Sequence, residues 1–77
     1  MITIIGVALA NRNETAVEFQ SILTKYGCKI RTRLGLHASE KDVCLNSGIV
    51  LLEVPGDAAE LIAELKEHWE VQTMKFE

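Results

Sequence analysis

A ferredoxin-like α+β fold of βαββαβ order, with a four-stranded antiparallel sheet and two helices on one face, is predicted by three observations. The hydrophobic periods run strand, helix, strand, strand, helix, strand. The chain has 77 residues, and those six elements use nearly all of it. Turn chemistry, Gly27 and Pro55-Gly56-Asp57, falls between the periods. That order in so short a chain is the split β-α-β arrangement, a single domain over residues 1–77.

The first strand, from Ile2 to about Ala10, places Ile5, Val7 and Leu9 on one face and Ile2, Ile4, Gly6 and Ala8 on the other. Both faces are apolar, the pattern of a central strand covered on two sides. The first helix, Glu14–Tyr26, carries Ala16, Phe19, Ile22, Leu23 and Tyr26 on one stripe. Asn13 suits its N-cap, and Gly27 suits a left-handed position after its last turn.

The second strand, Cys28–His37, alternates: Cys28, Ile30, Thr32, Leu34 and Leu36 face one way, Lys29, Arg31, Arg33 and His37 the other. It belongs at a sheet edge, where a basic row discourages unplanned pairing and also offers an anion-binding or subunit-contacting stripe. Residues 38–47 form a polar connection, longer than a tight hairpin requires, that is either mobile or partly extends both strands. Gly48–Val54 is a short apolar strand. Asp57 with Glu60 three residues on opens the second helix, with Ala58, Leu61, Ile62 and Leu65 on its inner stripe. In the last strand Trp69 and Val71 alternate with Met74 and Phe76, which face the opposite way and serve as core or dimer contacts.

Two helices cover only one face of such a sheet. The other exposes Ile2, Ile4 and Ala8 with help from the third strand, and an apolar patch of that kind marks a subunit interface. A homodimer or larger assembly is therefore expected. The net charge of −3 argues against direct nucleic-acid binding by this chain. No apolar run approaches the roughly 20 residues of a membrane helix, and the N-terminus does not read as a signal peptide. Two cysteines do not make a secreted disulfide framework, so reduced thiols and a cytoplasmic setting are expected.

Site chemistry is sparse. Asn11-Arg12-Asn13 precedes a helix N-terminus, where free N–H groups and the positive dipole end favour an anion and Arg12 adds a charge-assisted donor. The same residues also read as an ordinary polar turn. Gly35, in Arg33-Leu34-Gly35-Leu36, marks a bulge or a close approach of ligand or backbone. Arg33 and Gly35 complete the candidate site for a small anionic metabolite. A metal-sensing alternative uses His37 and Cys44, although two residues do not make a metal site. Cys28 reads as a buried small hydrophobe, and His68 as a helix-end residue. The HExxH, paired CxxC and Gly-rich phosphate-loop signatures are absent, so neither catalysis nor a cofactor is expected. An Arg12–Asn46 pair matches acylphosphatase-type catalysis only loosely.

Several segments together carry a resemblance: Asn11-Arg12, Ile22-Leu23-Thr24-Lys25-Tyr26-Gly27, Ile30, Arg33-Leu34-Gly35-Leu36, Ile49-Val50-Leu51-Leu52 and Pro55-Gly56-Asp57. Nearly end to end, the chain resembles the small ACT-like proteins known as iron-only hydrogenase system regulators, which are similar in fold to the C-terminal domain of nickel-responsive repressors. It departs from their pattern at Thr32 and Leu34, which flank Arg33, and at His68-Trp69-Glu70-Val71. The resemblance implies a ligand-sensing, self-associating regulatory module without catalysis. A pure oligomerisation module is the further alternative.

Overall fold

The computed structural model describes residues 1–9, 12–40 and 43–77, and of residues 12–14, 36–40 and 43–47 the backbone only. The elements are β1 (Ile2–Leu9), α1 (Arg12–Lys25), β2 (Thr32–Glu40), β3 (Val43–Pro55), α2 (Ala59–Lys66) and β4 (Glu70–Phe76). The strands form one antiparallel sheet in the order β2-β3-β1-β4. This is the expected ferredoxin-like βαββαβ arrangement.

Registers follow from the period of two along each strand. On β1, Ile5 lies opposite Leu52 of β3 and Thr73 of β4, and Val7 opposite Val50 and Val71. Thr3, Ile5, Val7 and Leu9 are buried, and with Val50, Leu52 and Val54 they form the floor of the core. Phe19, Ile22 and Leu23 of α1, then Ala58, Leu61 and Leu65 at α2, close it from above. Trp69 meets Phe19 edge to face, with ring centroids 5.3 Å apart. Buried Thr3 donates its hydroxyl to the Gly56 carbonyl at 3.3 Å, so its polar atom is satisfied.

The helix ends have local causes. Asp57 Oδ1 accepts the Ala59 N–H at 3.0 Å, which satisfies one free donor of α2. Gly56, at φ 85°, turns the chain from β3 toward α2 and donates its N–H to the Met1 carbonyl at 2.8 Å. At the far ends of the helices, Glu64 of α2 accepts from Lys25 Nζ at 2.9 Å and from the Tyr26 hydroxyl at 3.2 Å. The hydrogen bond from Lys25 holds the Glu64 carboxyl below the usual glutamate range, and the same bond raises Lys25. Partial desolvation raises the Tyr26 phenol, and its own bond to Glu64 adds to the rise.

Several expectations need correction. The inner stripe of α1 runs Thr15, Phe19, Ile22, Leu23 and Tyr26, and Ala16 is exposed because it lies one helical step off that phase. Gly27 is not in the left-handed region: its N–H reaches the Thr24 carbonyl at 3.2 Å, a tightened last turn. Cys28 is exposed, not a buried strand residue. The chain spends residues 26–29 on a turn, with the Lys29 N–H on the Tyr26 carbonyl at 2.9 Å, before β2 starts at Thr32. For the connection after β2, by contrast, one of the two expected readings holds: it extends both strands, β2 to Glu40 and β3 from Val43. The irregularity in this hairpin lies between His37 and Ser39 instead of at Gly35, which sits in regular register opposite Val50.

Candidate interaction face on the open side of the sheet

The helix-free side is built from the other half of each strand. Cross-strand partners share a face, so the register gives its composition directly. One row sets Leu34 of β2 beside Leu51 of β3, Gly6 of β1 and Gln72 of β4. The next sets Thr32 beside Glu53, Ile4 and Met74, and Ile2 lies beside Phe76.

Large apolar side chains stand in water here: Leu34 is 53% exposed, Ile49 46%, Met74 60% and Phe76 56%. Ile2, Ile4, Ala8 and Leu51 between them are half-buried. The expected interface residues Ile2, Ile4 and Ala8 therefore lie on this open face. The small residues of β1 leave a trough of about 360 Å³. Gly6 and Ala8 form its floor, Ile49 and Leu51 of β3 one wall, and Gln72 and Met74 of β4 the other. Two carboxylates stand on this face, Glu53 on the inner strand β3 opposite Ile4 and Glu70 at the lining of the trough. Glu53 accepts from Thr32 Oγ1 at 2.8 Å and pairs with Arg31 at 3.4 Å. Glu70 lies opposite Ala8, at the end of the β1–β4 ladder.

Sequence reasoning named the β1 residues and the orientation of Met74 and Phe76 but missed the weight of Leu34 and Gly6. Leu34 alternates like a core residue, and only the register, which sets it beside Leu51 and Gly6, shows that it lies on the side no helix covers. Gly6 carried a signal in its smallness among β-branched neighbours.

The expected ligand residues are distributed differently. Arg33 points to the helix side, where Nη1 donates to Gln20 Oε1 at 2.7 Å and the guanidinium lies 5.8 Å from the Phe19 ring centre. Gln20 is eight residues past Arg12, about 12 Å along the helix axis, so this contact holds Arg33 beside the middle of α1. A side chain at Gly35 would meet open space. Asn11 lies outside the described residues, as do the side chains of Arg12 and Asn13, and those of His37 and Cys44 named for the metal alternative. The basic row of the second strand is thus divided, Arg31 to Glu53 and Arg33 to α1. Among the described residues no three His, Cys, Asp or Glu side chains converge as a metal site, and no helix is long and apolar enough to cross a membrane.

The uncharacterized protein TM1266 from Thermotoga maritima has a similar structure, with a TM-score of 0.69 and 18% sequence identity over 95% of this chain and 92% of that one. Identity at that level shows a shared fold. No family model matches the chain, and no curated protein matches it.

Proposed function

We propose that this chain is a non-enzymatic, self-associating regulatory module of the ACT-like kind, working in the reducing cytoplasm. One observation carries the proposal: a sheet whose second face, with no helix over it, carries exposed or half-buried apolar side chains from all four strands. Contiguous apolar surface of this extent marks an interaction site on a soluble domain. The resemblance of Asn11-Arg12, Arg33-Leu34-Gly35-Leu36 and Pro55-Gly56-Asp57 to the hydrogenase-system regulators supports the regulatory part. The non-enzymatic part rests on the lack of phosphate-loop, HExxH and paired CxxC signatures in the sequence.

The ligand sensed would be a small anionic metabolite at residues 11–13. Helix α1 starts at Arg12, so the positive end of its dipole lies there. Sedimentation of the wild-type chain across micromolar concentrations tests self-association: a dimer or larger species is expected, and a monomer throughout the range overturns the proposal.

A further inference from the structure

We infer that the open face packs against the same face of a second copy, and that Gly6 is small so that Met74 of the second copy seats in the trough above it. The inference rests on the proposed self-association and adds its surface and its specificity-determining residue.

Gly6 is the starting point because nothing within one chain calls for it. Among the described glycines only Gly56 has a positive φ, so Gly6 needs no special backbone conformation. A Cβ built on Gly6 would meet Leu51 Cδ2 at 3.6 Å and the Gln72 carbonyl oxygen at 3.8 Å, both ordinary contacts. Glycine in a central strand weakens it and commonly marks the close approach of another group. On the open side of β1 that group comes from outside the chain.

The shape of the face selects a second copy. A two-fold interface uses one patch twice, so the patch must complement itself. This one carries a trough over Gly6 and Ala8 and, along β4 beside it, the protruding Met74 and Phe76. Met74, unbranched and flexible, suits a knob for an irregular trough. The area agrees. With about 200 Å² for the full surface of a large side chain, Leu34, Ile49, Met74 and Phe76 together expose roughly 400 Å² per copy. Adding the half-buried residues between them, two faces would remove roughly 1,000 Å² or more, the lower bound for a specific interface. A small molecule in the trough would leave Leu34 and Phe76 in water, whereas a second sheet covers them. Pairing leaves Glu53 its partners Arg31 and Thr32, and Glu70, which also lines the trough, stands at its Ala8 end where the β1–β4 ladder stops.

The test compares wild type with Gly6→Ala and Gly6→Val by sedimentation, with thermal unfolding at a concentration where the chains are monomeric. The monomer should melt no lower than wild type, and the dissociation constant should rise about tenfold or more, further for Val than for Ala. Unchanged association overturns the inference while leaving self-association intact; a wild-type monomer removes both. Should either variant fold poorly, methyl spectra of the wild-type chain on dilution decide the matter. Signals of Ile4, Ile49, Leu51 and Met74 should move and those of Leu61 and Leu65 stay. Changes confined to the backbone amides of β2 or β4 would mean pairing by strand edges and overturn it. So would native mass spectrometry finding an apolar small molecule retained in the trough.

Discussion

The two faces of strand β1 are made from alternate residues of one segment, yet they have different fates. Thr3, Ile5, Val7 and Leu9 are buried beneath both helices. Ile2, Ile4, Gly6 and Ala8, equally free of charge, remain half-buried on a face that no helix covers. The contrast continues on β3, where Val50, Leu52 and Val54 are buried and Ile49 is exposed. Apolar composition on a strand therefore does not say which of its faces a helix of the same chain covers. On one face the cover is α1 and α2. On the other the proposed cover is a second copy of the chain.

The largest expected effect lies on the covered face. Leu65, fully buried under the sheet, should cost about 2–5 kcal/mol when changed to Ala, from lost burial and the cavity left behind. Urea denaturation would read this as a large fall in midpoint; a loss within error of zero would mean the core is not packed as described.

Ile4→Asp sharpens the comparison from the other side. It places a charge in the middle of the open face, so association should weaken at least tenfold, about 1.4 kcal/mol or more. Monomer stability should fall much less than in Leu65→Ala. Sedimentation paired with denaturation separates the two effects, and a dimer unaffected by Ile4→Asp would place the contact elsewhere.

A smaller effect is expected at the turn that leads from β3 into α2. Gly56→Ala forces a side chain into the left-handed region at φ 85°, with an expected cost of about 1–2 kcal/mol. Because a Cβ there meets nothing within 4 Å, the loss would be conformational. It should appear equally in dilute and concentrated protein.

The smallest effect concerns the exposed clasp between the helices. Glu64 is lowered from 4.5, so its contribution is present above that value and is lost as pH falls through the lowered one. Lys25 is raised from 10.5 and Tyr26 from 10.0; their contributions are present below those values and lost as pH rises through the raised ones. The stability advantage of wild type over Glu64→Gln should thus be level between these limits and shrink at both ends. Solvent screening keeps it small. A difference curve flat at both extremes would show that the clasp contributes nothing.

Legibility varied with the kind of signal. β1 and the inner stripe of α2 were readable because Ile5, Val7, Leu9, Leu61 and Leu65 recur at the right periods, and period is a property of the chain alone. Residues 28–31 misled because Cys28 and Ile30 continue the alternation of the following strand. The turn after α1 uses those residues for reach, which alternation does not encode. Arg33 was readable as a charge on an edge strand, but its partner, Gln20, lies thirteen residues earlier on a helix whose position only packing sets.

By itself, the sequence determined the order of the elements, the alternation that divides each strand into two faces, and the turn at Pro55-Gly56-Asp57. These follow from local sterics and from the burial of apolar side chains at fixed periods. The tertiary structure decided the rest. It placed both helices over the odd-numbered side of β1, joined Arg33 to Gln20 and Phe19, and brought Leu34, Leu51, Gly6 and Met74 from four strands into one apolar surface. Strand order and register bring together residues far apart along the chain, and no local pattern specifies which of them will meet.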